Sequence, residues 1–126
     1  MLFGAGLLAV SACVGYGLYP TPPPGVPETV TVALREFEVD PWPRLVRKGR
    51  VILDIVNAGT LAHGLVLAGP RVEQPLVDGM GPGEHERVAV DLPVGTFRLY
   101  CPDADHARRG MAANLVVDEQ VSWFRR

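Results

Sequence analysis

Cysteine, histidine and methionine are scarce in this chain of 126 residues, which holds two cysteines, three histidines and three methionines. Cys13 lies in an apolar N-terminal segment and Cys101 in the later globular part, so we expect no disulfide and a free thiol at Cys101. An excess of charge of one sign is also lacking, because 12 basic and 14 acidic residues give a net charge of −2. No basic stripe occurs, and we predict no nucleic-acid partner.

Charge is absent from the start of the chain, since the first charged side chain is Glu28. As a helix, the apolar segment 1–19 would span about 28 Å, close to the thickness of a bilayer core. We predict an uncleaved membrane anchor. Two alternatives are a signal peptide, although no Lys or Arg forms its usual first region, and a lipoprotein signal acylated at Cys13. All three place the rest of the chain outside the cytoplasm, in the periplasm or at the outer face of the membrane.

The segment 20–28 holds five prolines in nine residues. Because proline fixes φ and favours extended geometry, this segment is predicted to be a semi-rigid linker. Within 1–19, small residues recur every four positions, namely Ala5, Ala9, Cys13 and Gly17. Such a ridge lets another helix approach closely, which favours packing against other membrane helices.

From residue 28 onward the apolar residues alternate with period two, and no convincing helical pattern appears. Short strand-like runs are separated by Gly and Pro turns, which predicts an all-β sandwich or barrel of about seven or eight strands over 29–118, followed by a tail at 119–126. The alternation shifts near Phe37, which indicates a bulge or a strand end. We expect the prolines at 41–44 to interrupt the strand pattern, and we expect a loop over 77–86.

Three scarce residue types share the stretch CPDADHARRGM, where Cys101, His106 and Met111 follow one another at intervals of five. Neither a helix nor a strand brings residues at this spacing together, because they point to different faces. The flanks are strand-like, so a loop that folds back between two strands is required. Thiolate, imidazole and thioether form a soft donor set, which suits copper in a trigonal His₂Cys site with a weak axial Met.

A second histidine is needed to complete such a site. His63 follows a strand and a turn, whereas His85 sits among charged residues in a polar segment, and we therefore favour His63. Asn57 is expected to stabilise the turn before His63 through side-chain hydrogen bonds. Structural zinc, the competing metal, seldom uses methionine.

The chain from about 29 to 118 resembles the cupredoxins, the small type 1 blue copper proteins, and most closely the plastocyanin- and azurin-like bacterial members. The motif at 101–111 is similar to their Cys…His…Met loop, with the spacing of rusticyanin and auracyanin. NAGTLAH at 57–63 is similar to their upstream histidine element, and PGE at 82–84 and LPVGTFRLYC at 92–101 are similar to the segments that lead to the cysteine. The resemblance implies a Greek-key β-sandwich and the copper ligands His63, Cys101, His106 and Met111.

Two positions depart from the family pattern. Gly64 follows the first histidine where the family often has Asn, which helps to tie the ligand loops together. Asp105 precedes the second histidine where the family often has Gly. Neither departure removes a ligand.

The resemblance implies a protein that carries single electrons between redox partners, such as a redox protein or a membrane respiratory or photosynthetic complex. Copper delivery or storage is the alternative, although such proteins commonly carry several exposed Met or His ligands. A thiol enzyme built on Cys101 and a histidine is not favoured, because no oxyanion hole is apparent and Met111 would have no role. We therefore predict that the protein is not an enzyme.

Overall fold

The computed structural model describes residues 26–120, which form nine strands in two sheets and no helix. The strands are β1 (Glu28–Arg35), β2 (Glu38–Trp42), β3 (Leu45–Arg47), β4 (Gly49–Asn57), β5 (His63–Gly69), β6 (Val72–Met80), β7 (His85–Leu92), β8 (Gly95–Tyr100) and β9 (Ala112–Asp118). One sheet has the order β2-β1-β4-β7 and the other has the order β3-β9-β8-β5-β6. The predicted all-β sandwich is confirmed.

The core lies between the two sheets and follows from the alternation in the sequence. In β1, every second residue from Glu28 to Leu34 is buried, and β4 buries Val51, Leu53 and Ile55 in the same way. The facing sheet contributes further apolar side chains, the largest being Phe97. Because the side-chain period of a strand is two, the intervening residues of β1 and β4 lie on the outer face.

The strands bring four chain segments to one end of the sandwich, called here the ligand end. At this end β1 and β4 finish side by side, with Leu34 opposite Asn57, and β5 begins at His63. β8 finishes and β9 begins there, with Tyr100 opposite Ala112. The segments 58–62 and 101–111 therefore leave neighbouring strands at the same end.

The strand count differs from the predicted seven or eight because β2 and β6 were not anticipated as separate strands. The shift near Phe37 is a strand end, since β1 finishes at Arg35 and the chain turns into β2. The expected break at 41–44 is wrong in part, because β2 continues through Pro41 and Trp42 as a sheet-edge strand, where proline costs no ladder hydrogen bond.

The expected loop at 77–86 is also wrong in part. β6 runs to Met80 and β7 begins at His85, so only residues 81–84 connect them. The glycines and proline of this stretch suggested a loop, but pairing with β5 and β4 extends both strands into it.

The predicted anchor 1–19 and most of the linker 20–28 lie outside the described residues. Within 26–120, no helix has the length and apolar character needed to cross a bilayer.

Candidate metal centre

Three of the four predicted ligands converge at the ligand end. The donor atoms of His63, Cys101 and His106 all lie within 4.8 Å of one another. The Cys101 sulfur lies 3.6 Å from His106 Nδ1 and 3.9 Å from His63 Nδ1. His63 and Cys101 are fully buried, while His106 is only partly buried.

This geometry fits a metal ion bound through one sulfur and two nitrogens. Metal–nitrogen and metal–sulfur bonds of about 2.0 and 2.3 Å, at angles between tetrahedral and trigonal, place the two donors about 3.5 to 3.7 Å apart. The separation of 3.6 Å from His106 Nδ1 lies in this range, and that of 3.9 Å from His63 Nδ1 is slightly longer. Because a thiolate and two imidazoles form a soft nitrogen and sulfur set, the donor chemistry suits copper.

Backbone hydrogen bonds fold the segment 101–111 into a compact loop. The amide of Cys101 donates to the carbonyl of Met111, and the amide of Met111 donates to the carbonyl of His106, each at 3.1 Å. The amide of His106 in turn donates to Asp103 at 3.0 Å. The loop therefore folds back, as the spacing of its ligands predicted. Its main chain brings Cys101 and Met111 together.

Met111, the fourth predicted ligand, is fully buried immediately before β9. Its main-chain bonds to Cys101 and His106 set it beside the cluster. Its role as the weak axial ligand stays a prediction. His85, the histidine that was not favoured, is the exposed first residue of β7, paired with Val56.

The Cys101 sulfur is buried, but two backbone N–H groups lie within hydrogen-bonding reach of it. Burial raises the pKa of this thiol, although the backbone N–H groups of Asp103 and Gly64 oppose the rise by donating to the sulfur. Metal binding requires the thiolate, so loading the site releases a proton. The two N–H groups are then placed to stabilise the bound sulfur.

Asn57 organises the segment that leads to His63. Its side-chain amide donates to the carbonyls of Leu61 and Met80, both at 2.8 Å, and its oxygen accepts the amide of Gly59 at 2.9 Å. The expected stabilisation of this turn by Asn57 is confirmed. The bond to Met80 also ties the turn to the end of β6.

Glu36, which the sequence did not single out, lies beside His63. One oxygen of its carboxylate accepts the amides of Thr60 and Leu61, at 2.8 and 2.7 Å, and lies 2.9 Å from His63 Nε2. The amide of Leu61 is the main cause that lowers the pKa of Glu36 to about 2, with Thr60 and His63 adding to it. No sequence signal identified this residue, because it lies 27 positions before His63 in a turn of unremarkable composition.

The two departures from the family pattern have structural explanations. A Cβ atom on Gly64 would lie 3.1 Å from the carbonyl of Val77 and 3.2 Å from Pro102, so glycine lets the two ligand segments pack directly together. Asp105 forms an exposed ion pair with Arg109 at 2.9 Å. The guanidinium of Arg109 also lies 4.7 Å from the ring of Phe37.

Comparison with solved structures finds the same fold in other proteins. Auracyanin from the photosynthetic bacterium Roseiflexus castenholzii is 18% identical, with a TM-score of 0.58 over 75% of this chain and 99% of that one. Auracyanin B is 20% identical, with a TM-score of 0.59 over 82% and 96% of the two chains. A multicopper oxidase matches 81% of this chain but 46% of its own, at 20% identity and a TM-score of 0.54. Neither a protein-family model nor a curated protein sequence matches the chain.

The protein thus has the cupredoxin fold, as the two auracyanins do. Its cluster of His63, Cys101 and His106 fits a single type 1 copper ion.

Proposed function

We propose that the protein is a membrane-tethered blue copper protein that carries single electrons outside the cytoplasm. His63, Cys101, His106 and Met111 hold one copper ion, with Cys101 as thiolate and both imidazoles neutral. The observation that carries the proposal is the convergence of three donor atoms within 4.8 Å at one end of a cupredoxin-like sandwich. When bound, the ion supplies a one-electron couple between Cu(I) and Cu(II).

Burial and hydrogen bonding favour electron transfer over copper delivery. Cys101, His63 and Met111 are all fully buried, and the segments that carry them are fixed by internal hydrogen bonds. The geometry of a fixed set of donors changes little between Cu(I) and Cu(II), and this keeps the reorganisation energy of electron transfer small. A delivery protein instead needs an open site from which a recipient can take the ion.

His106 is the cluster member that reaches the surface. It is only partly buried, and the Phe37 ring packs edge-on against it with the centroids 5.2 Å apart. A redox partner that docks at the ligand end would therefore approach the metal through the imidazole of His106.

The direction of the chain supports a tether that leaves this surface free. β1 starts at Glu28, beside the beginning of β4, and runs to the ligand end over about 23 Å, at about 3.3 Å per residue. The first described residue, Val26, accepts a hydrogen bond from Arg47 at the end remote from the cluster. An anchor at 1–19 joined by the linker 20–28 would thus attach opposite the metal.

A visible spectrum and a redox cycle test the copper function. The oxidised protein is expected to be intensely blue or green from thiolate-to-Cu(II) charge transfer, and to keep its copper through repeated reduction and oxidation. Rapid transfer of copper from the reduced protein to a Cu(I) chelator would instead identify a delivery protein. A colourless protein that prefers zinc would contradict both functions.

Intact mass and membrane fractionation test the tether. The full-length chain is expected in the membrane fraction with residues 1–19 retained. Removal of the whole segment would identify it as a signal peptide. Loss of residues 1–12 with a lipid on Cys13 would identify a lipoprotein signal. The spectrum of the copper domain does not depend on this result.

A further inference from the structure

The geometry points to Glu36 as a positioning residue for the metal site: its carboxylate fixes the tautomer of His63 and lowers the reduction potential of the bound metal. The inference rests on the proposed copper function. It concerns a residue on the turn between β1 and β2, which is remote in sequence from every predicted ligand.

The hydrogen bond assigns the proton of His63. An ionised carboxylate can only accept hydrogen bonds, so the contact of 2.9 Å requires the proton on Nε2. In the neutral imidazole Nδ1 is then unprotonated, and this is the nitrogen that faces the Cys101 sulfur at 3.9 Å. The carboxylate thus presents His63 in the one neutral tautomer that can donate to a metal within the cluster.

The same oxygen holds the segment that carries His63. It accepts the amides of Thr60 and Leu61 as well as the imidazole, so the position of the ring and the path of the main chain are set together. Since His63 is fully buried and its Nε2 has this partner, rotation of the ring would break a partly buried hydrogen bond and leave a buried N–H without its acceptor.

Gly59 provides the space for this carboxylate. A Cβ atom at position 59 would lie 2.5 Å from Glu36 Oε1 and 2.8 Å from Oε2, closer than real Cβ contacts. An alanine there must displace the carboxylate. Gly59→Ala therefore perturbs the contact between Glu36 and His63 while leaving both residues in the chain.

A carboxylate behind the imidazole also changes what the ligand offers to the metal. Its negative charge makes the imidazole a stronger electron-pair donor to the metal, as in the carboxylate–histidine pairs of other metal sites. The more highly charged ion, Cu(II), gains more from this donor than Cu(I) does. Glu36 is therefore expected to lower the potential.

Glu36→Gln removes the negative charge but keeps the size of the side chain and an acceptor oxygen at the same distance from the backbone. We expect this variant to remain coloured and its redox equilibrium to move about tenfold toward Cu(I), equivalent to about 59 mV for one electron. Glu38→Gln is the matched control, since Glu38 is an exposed carboxylate on β2 near the same end. Equal shifts in the two variants would overturn the role of Glu36 in tuning the potential.

Gly59→Ala should shift the potential in the same direction as Glu36→Gln. Gly81→Ala is its control, because a Cβ atom at Gly81 meets only ordinary contacts, the nearest at 3.4 Å. An unchanged potential in Gly59→Ala would contradict the proposed contact.

Nuclear magnetic resonance of the unmodified metal-free protein tests the tautomer without any variant and without copper. We expect a proton on His63 Nε2 that exchanges slowly with solvent. A proton on Nδ1 instead would overturn the assignment, whatever the colour of the loaded protein. A colourless loaded protein with a protected Nε2 proton would reject the copper function but keep the pairing of Glu36 with His63.

Discussion

The two segments that supply the ligands are held by different means. The segment 101–111 is organised by its own main chain, through hydrogen bonds between residues no more than ten positions apart. The segment 58–63 has one main-chain bond to β1, from the amide of Ala58 to the carbonyl of Leu34, and is otherwise organised by side chains. Of these, Asn57 lies next to the segment and Glu36 lies more than twenty positions earlier. One segment is therefore a local structure, whereas the other depends on the assembled sandwich.

This difference predicts how each segment responds to change. Main-chain bonds survive most substitutions, so variants in 101–111 should alter the metal chemistry while the loop persists. Side-chain bonds are lost when one residue is replaced, so variants of the residues that hold 58–63 should alter stability and the position of His63.

The largest effect is expected for Cys101→Ser, which removes the thiolate. The blue or green absorption should disappear entirely, since it arises from charge transfer between thiolate and Cu(II). The fold should persist, because the main-chain bonds of Cys101 do not require sulfur. Visible and circular dichroism spectra check the two parts, and a variant with undiminished colour would contradict the ligand set.

Asn57→Ala should cost the most stability among the residues that hold 58–63. It removes three hydrogen bonds from a fully buried side chain, at about 1 kcal/mol each, for a total of about 3 kcal/mol. Urea unfolding of the metal-free protein measures the loss. Asn114→Ala, at an exposed position of β9, is the control and should be nearly neutral. Equal losses would show that Asn57 does not hold the segment.

The same contrast explains what could be predicted from sequence. Cys101, His106 and Met111 lie in one short stretch, so their spacing and their strand-like flanks predicted both the loop and the donor set. Period-two alternation likewise predicted the sandwich. Glu36 could not be identified, because its contact with His63 arises only when the turn between β1 and β2 meets the segment after β4. The extension of β2 and β6 also depended on pairing partners that no local pattern specifies.

Met111→Leu should keep copper and raise the reduction potential. Leucine fills a similar volume but removes the sulfur proposed as the weak axial ligand, and such a ligand stabilises Cu(II) more than Cu(I). Because the main-chain bonds of Met111 remain, the loop should not open. Potentiometric titration measures the change, and a potential at or below that of the unmodified protein would reject Met111 as the axial ligand.

Glu36 should make stability depend on pH in acid. Hydrogen bonds lower its pKa in the folded protein from 4.5 to about 2, so the folded state prefers the carboxylate. The resulting stabilisation is complete above about pH 4.5 and is lost as the pH falls to about 2. The advantage of the metal-free protein over its Glu36→Gln variant should therefore shrink across this range. Glu38→Gln serves as the control, and an advantage that stays constant down to pH 2 would contradict the proposed linkage.

The smallest effect is expected for Asp105→Asn, within the segment held by its main chain. Arg109 lies 2.9 Å from this carboxylate and lowers its pKa, but both side chains are about half exposed, and water and salt screen the pair. The amide of Arg109 still donates to the carbonyls of Asp105 and His106 after the substitution, so the turn around His106 should persist. We expect no measurable change in the urea midpoint or in the visible spectrum. A loss of stability as large as that of Asn57→Ala would mean that side chains hold both ligand segments, and the contrast between them would fail.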